Sequence, residues 1–235
     1  MDIILVPGFW LDGSAWDDVV PPLAAAGHRV DALTLPGMTP GADPSQVHLE
    51  DHVQAVVDAI DAVDAERQVV LVGHSAGGGL VYNAAGRRPD RVARLVYVDS
   101  GPMAEGQAIN DELPVEAPVV ELPEWDEMNP ADLVDLTEEL RAAFRERALP
   151  QPGHTVREGH HHPGDPAARR AAPATVIACE YPAEQIRGLI EQGHPFVAEL
   201  ATCDDYEIVD LPTGHWPMLT RPADLAAAIL TAIER

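Results

Sequence analysis

Apolar residues along this chain follow two rhythms. Ile3 to Val6, Val69 to Val72, Val92 to Val98 and Ala174 to Cys179 are short, nearly continuous apolar runs rich in β-branched residues. Runs of that length without polar alternation predict strands buried on both faces. Arg29 to Leu33 and Tyr206 to Leu211 complete a set of six. Between them the spacing lengthens. Val53, Val56, Val57 and Ile60 recur at i, i+3, i+4 and i+7, which predicts a helix over Val47 to Val63. Further helices are expected over Trp16 to Ala26, from Ser75 to about Arg88, near Ala183 to Gln192 and over Ala223 to Ile233. Strands that alternate with helices are βαβ units and imply an α/β fold, a parallel sheet with helices on both faces.

The rhythm stops between residues 100 and 172. That stretch is proline-rich and acidic, and its periodicity predicts one helix, Pro130 to Arg147. It leaves from the C-terminal end of a strand, the edge where open α/β sheets bind ligands. Residues 1–235 therefore read as a single domain with a cap or lid inserted at 100–172. The competing reading is a decorative or disordered insertion.

The third strand runs into Gly73-His74-Ser75-Ala76-Gly77. This fits G-x-S-x-G, a sharp strand-to-helix turn that lifts a serine hydroxyl above the sheet edge. The flanking glycines suit a strained position where a Cβ would crowd the strand or helix beside it. A serine needs a base, and the base needs an orienting acid. His215, in Thr213-Gly214-His215-Trp216 after the last strand, has the right place in chain order. For the acid, Asp99 stands at the end of the fourth strand, while Glu180 and Glu184 follow the fifth; Asp99 could equally be a helix cap or loop anchor. Phe9 and Ala76 are the candidate oxyanion donors through their backbone N–H groups. Trp10, His74, Trp125 and Trp216 are candidates to line a substrate pocket. The apolar residues of the 100–172 stretch, Met103 and Leu122 among them, either join that pocket or form the cap's own core. His160-His161-His162 reads as a solvated loop, because three adjacent side chains do not converge on one metal ion.

Composition narrows the chemistry. The formal charge is −24, from 39 acidic and 15 basic residues, so nucleic acid and anionic lipid are not expected partners. All 15 basic residues are arginine, and the absence of lysine excludes a Schiff base, a pyridoxal-phosphate anchor and a Walker A loop. Cys179 and Cys203 make neither a disulfide framework nor a metal-ligand pattern. With no signal peptide or 18-residue apolar run recognised, a cytoplasmic protein without membrane association is expected. It would need no cofactor or metal, act on a small molecule and exist as a monomer or homodimer.

Pro7-Gly8-Phe9-Trp10, Trp16, Ala26-Gly27-His28-Arg29-Val30, Leu35-Pro36-Gly37, the serine turn and Gly214-His215 together resemble the α/β-hydrolase superfamily. The likeness is to its small members, plant methylesterases and hydroxynitrile lyases with their bacterial relatives. It implies a six-stranded, mostly parallel, doubly wound sheet of order 2-1-3-4-5-6. Pro7 departs from the family's usual His-Gly, and family members usually place the acid after the penultimate strand, near Ala183 and Glu184. Some relatives place it where Asp99 stands. Hydroxynitrile lyases of the group carry a Lys where this chain has Trp216, and dehalogenation needs an Asp at Ser75. The expected activity is hydrolysis of a carboxylic ester or related acyl bond of a mainly apolar substrate through an acyl-enzyme. A ligand-binding or receptor role, or lyase, cyclase or cofactor-free oxygenase chemistry on the same fold, is the alternative.

Overall fold

A computed structural model describes all residues, 1–235. Six parallel strands form one sheet: β1 (Asp2–Val6), β2 (Arg29–Ala32), β3 (Val69–His74), β4 (Val92–Val98), β5 (Ala174–Ala178) and β6 (Tyr206–Asp210). Their order is β2-β1-β3-β4-β5-β6, all neighbours parallel. The apolar runs bury both faces by simple alternation. Ile4, Val6, Val69 and Leu71 enter a 28-residue core on one side, whereas Ile3, Leu5, Val70 and Val72 enter a 22-residue core on the other.

Helices α1 (Val20–Ala25), α2 (Leu49–Ala62), α3 (Ala76–Arg87), α4 (Glu138–Arg147), α5 (Ala183–Glu191) and α6 (Pro222–Ile233) cover the faces, with shorter turns between. The predicted apolar stripe of α2 is buried at Val53, Val56, Val57 and Ile60. No helix is long and apolar enough to cross a membrane.

Three local expectations need correction. The stretch from Trp16 to Ala26 is not one helix: a 3-10 turn, Gly13–Trp16, precedes α1, which starts with Pro21 and Pro22 in its first turn. Prolines are tolerated there and disfavoured further inside. The helix expected over Pro130 to Arg147 forms only as α4, because Thr137 caps it by accepting from the Leu140 N–H, while Asn129 to Leu136 make turns. The histidine run is not a solvated loop. His160 and His162 are buried and only His161 is exposed. The run packs on α3, where Gly79 makes room: a Cβ there would lie 2.6 Å from His160 Nε2. His162 Nε2–H donates to the Met103 carbonyl at 2.8 Å.

The 100–172 segment also contains a two-residue antiparallel ladder, Val119–Val120 against Gln151–Pro152. Leu122 belongs to the 22-residue core, and Trp125 and Met128 pack against it, Trp125 on Phe144, which in turn meets Trp216.

Candidate active site

The register of the sheet decides what meets at its C-terminal edge. Val6 pairs with Gly73 and His74 with Val98. The next residue in each case then leaves the sheet at one level. The Ser75 N–H donates to the Val98 carbonyl at 3.2 Å, the Asp99 N–H to the Ile177 carbonyl at 2.8 Å, and the Leu211 N–H to the Ala178 carbonyl at 2.8 Å. Four strand ends thus deliver Phe9, Ser75, Asp99 and the loop bearing His215 to one region.

Ser75 has φ 52° and ψ −125°, a conformation that side chains other than glycine rarely adopt. Its neighbours make that turn possible. A Cβ on Gly73 would lie 2.5 Å from the Gly77 carbonyl oxygen, and one on Gly77 2.7 Å from that of Val6. Both obstacles are backbone, which cannot swing aside. Gly77→Ala is therefore expected to destabilise the fold by about 1–3 kcal/mol, measured as a lower denaturation midpoint with an unchanged slope. It should also displace the Phe9 loop.

Asp99 is likewise in a left-handed conformation, φ 44°, which Asp tolerates better than most residues. The turn aims its carboxylate back over the sheet edge. His215 Nδ1–H donates to Asp99 Oδ2 at 2.7 Å, and the Ser75 hydroxyl lies 2.9 Å from His215 Nε2. Asp99 Oδ1 accepts the Cys179 and Glu180 N–H groups, each at 3.0 Å. The loop after β5, where the rival acids lie, thus supplies backbone donors to Asp99 instead. Glu184 is exposed in the first turn of α5.

Electrostatics follow from these contacts. Burial by itself would raise the Asp99 carboxyl, but the His215 bond and the two backbone donors outweigh it and hold the group below the usual carboxylate range. Burial by itself would lower His215; the bond and charge of Asp99, reinforced by Asp132 and Glu180, leave it raised. Glu180 is pushed up to about 7, first by burial and then by Asp132 beside it. A carboxyl raised on folding costs stability once the pH passes its unfolded value of about 4.3, and the cost is complete above about 7. Glu180→Gln is expected to be neutral near pH 4 and to raise stability at pH 8 by about 1 kcal/mol, the group being partly solvent-screened. Thermal melts at the two pH values check this.

His74 supports the site from beneath. It is fully buried, and burial and the nearby His215 push its pKa down to about 3, so the ring is neutral. Its Nε2–H donates to the His215 carbonyl at 2.7 Å, which fixes the His loop from below. The loop is also tied from above, where the Gly214 and His215 N–H groups donate to the Val134 and Asp132 carbonyls of the 100–172 segment.

A cavity of about 560 Å³ opens over Ser75, Ala76, Asp99 and His215. Its apolar wall includes Met103, Ile109, Ile186, Phe196, Val197 and Leu200, and a polar corner is formed by Asn129, Asp132 and Glu180. The expected pocket residues Trp10, His74, Trp125 and Trp216 do not line it. Trp10 Nε1–H donates to the Val120 carbonyl at 3.1 Å, His74 lies beneath the serine turn, and Trp125 and Trp216 both pack on Phe144. Aromatic residues so placed serve the core that holds α4 to the domain. Most of the wall comes from the turns at 101–109 and 195–200, outside the regular strands and helices, with Ile186 added from α5; Met103, expected either in the pocket or in the cap core, joins the pocket. The Phe9 and Ala76 N–H groups make no hydrogen bond to another protein group. Ala76 lines both this cavity and a smaller one that Phe9 also borders.

Comparison with known proteins agrees with this architecture. A pyrethroid hydrolase of Sphingobium wenxiniae is 41% identical over 107 residues, 45% of this chain and 38% of that protein. A carbendazim hydrolyzing esterase of a Nocardioides species is 34% identical over 119 residues, 50% of this chain and 49% of that protein. The chain thus matches less than half the length of each. Among solved structures, an extracellular alpha/beta-hydrolase from a Paenibacillus species superposes with TM-score 0.75 at 21% identity, covering 99% of this chain and 98% of that one. A pyrethroid hydrolase from Sphingobium faniae JZ-2 gives 0.69 at 26% identity, covering 100% and 97%. The profile of the alpha/beta hydrolase family matches residues 3–228. Because that match runs from β1 into α6, through every strand of the sheet, the chain belongs to the alpha/beta hydrolase family.

Proposed function

We propose that this protein is an esterase that uses Ser75 as nucleophile, His215 as general base and acid, and Asp99 as the orienting carboxylate. One observation carries the reading: an unbroken hydrogen-bonded chain, Ser75 Oγ to His215 Nε2 and His215 Nδ1 to Asp99, on the floor of a cavity large enough for a small acyl compound. The relatives named as pyrethroid hydrolase and carbendazim hydrolyzing esterase support the same reaction class.

In this reading His215 accepts the Ser75 proton as Oγ attacks the substrate carbonyl. Asp99 stays ionised and stabilises the imidazolium that forms. The oxyanion develops towards the Phe9 and Ala76 N–H groups, whose lack of protein partners leaves them available. His215 returns the proton to the leaving alcohol, and a water activated by the same ring then cleaves the acyl-enzyme. Residues 100–172 act as the cap, supplying Met103 and Ile109 to the apolar wall and fixing the His215 loop through Asp132 and Val134. The wall favours a mainly apolar substrate, and the carboxyl corner disfavours an anionic one.

Rapid-mixing hydrolysis of p-nitrophenyl acetate, butyrate and octanoate tests this. The expected result is a burst of about one nitrophenolate per chain before steady state. Turnover with no covalent Ser75 adduct under any quench would overturn it.

A further inference from the structure

Where the 100–172 segment crosses the start of α2, three side chains unrelated to the cavity converge. His48 occupies the N-cap position of α2. His154 and Glu158 lie one helical turn apart, in and just after the short helix Gly153–Arg157. Glu158 Oε1 accepts from His48 Nδ1 at 2.7 Å and from His154 Nδ1 at 3.1 Å. The two rings lie against each other, centroids 4.0 Å apart. The second oxygen, Oε2, accepts the Leu49 N–H at 2.9 Å.

We infer that His48, His154 and Glu158 form a binding site for a divalent transition-metal ion of the zinc type, which clamps the 100–172 segment to α2. The donor set is two imidazoles and one carboxylate, a combination suited to zinc and its neighbours rather than to calcium or magnesium. One donor atom from each residue lies within 4.8 Å of the others. A tetrahedral ion with bonds of about 2.0–2.1 Å needs donors about 3.3 Å apart. The two contacts of 2.7 and 3.1 Å therefore need to open by about 0.6 and 0.2 Å. On binding, each Nδ1 proton that now points at the carboxylate moves to Nε2, so both rings stay neutral and both Nδ1 lone pairs face the ion. The Leu49 N–H already orients the carboxylate from outside, as supporting groups do around metal ligands. The His48 side chain is 49% exposed, which gives the ion an entry path and a water its fourth position.

The place of the clamp gives it a consequence. Leu49 and Thr155, the residues after His48 and His154, line the small cavity bordered by Phe9 and Ala76. A metal here stiffens the wall behind the backbone donors assigned to the oxyanion.

Calorimetric titration of the full-length chain with zinc chloride, with cobalt(II) absorption in parallel, tests the site. The expected result is one ion per chain at micromolar Kd and a Tm raised by about 5 °C or more at zinc a hundredfold above Kd. His48→Gln and Glu158→Gln should each weaken zinc binding tenfold or more and abolish the Tm rise. His161→Gln, which removes the exposed imidazole paired with Glu105, should leave both unchanged. Each variant is compared with itself without metal, so a general loss of stability does not mimic loss of the site. Millimolar or weaker binding, binding unaffected by His48→Gln and Glu158→Gln, or loss in His161→Gln alone would overturn the inference.

Discussion

Ser75→Ala is expected to reduce ester hydrolysis by roughly 10⁵–10⁶-fold in kcat and to abolish the acyl-enzyme burst. No other hydroxyl replaces it at that position. The Ser100 hydroxyl is committed to the Ser75 carbonyl at 2.5 Å and has no contact with His215. The fold should survive the change, because the Ser75 side chain makes one hydrogen bond, to His215, at a partly exposed site. Steady-state and burst kinetics beside a thermal melt read both quantities. Residual activity within a hundredfold of wild type in Ser75→Ala, with His215→Ala inactive, would point to His215 acting as a base on a carbon acid. The esterase reading would then fail.

Asp99→Asn is expected to lower kcat about 10⁴-fold while leaving KM within a few-fold. An amide donor facing Nδ1 favours the tautomer with the proton on Nε2, which can no longer accept from Ser75. The pH profile separates this from a purely structural effect. His215 must be neutral to act, so kcat/KM should rise with pH through the His215 pKa, which Asp99 holds above its ordinary value. Removing the Asp99 charge should move that limb to lower pH while the plateau falls. Glu184→Gln, at an exposed position on α5, should stay within twofold of wild type. A large loss in Glu184→Gln with a near-normal Asp99→Asn would reassign the acid.

Much of the fold was legible because its signals are local. A four-residue apolar run such as Val69 to Val72 has no polar face to give to solvent, and an α2 stripe has only one face to bury. Those patterns name a parallel sheet with helices on both sides before any contact is known. G-x-S-x-G was legible for the same reason, since Gly73 and Gly77 answer a steric demand of the turn itself. The placement of His215 beside Ser75 was legible from chain order. The strand order came from family likeness, and the register agrees with it.

What the chain alone left open depends on groups far apart in sequence. Asp99, Glu180 and Glu184 are each a carboxyl after a strand. Only the tertiary structure turns Asp99 through a positive φ, sets it 2.7 Å from His215, and aims the Cys179 and Glu180 N–H groups at its other oxygen. The pocket wall is a similar case. Trp125 and Trp216 have the chemistry of a substrate lining, but both pack on Phe144, Trp216 buried and Trp125 half-buried. Turns at 101–109 and 195–200, with Ile186 of α5, take the lining role instead. The histidine run is buried rather than solvated because it packs on Gly79 of α3, about 80 residues earlier in the chain. Local sequence thus determined the elements and the serine turn, since backbone sterics and burial act over a few residues. The carboxylate that meets His215, the cavity wall and the burial of His160 and His162 were decided only when the strands, α3 and the 100–172 segment came together, because hydrogen-bond geometry and packing are properties of partners the sequence does not place side by side.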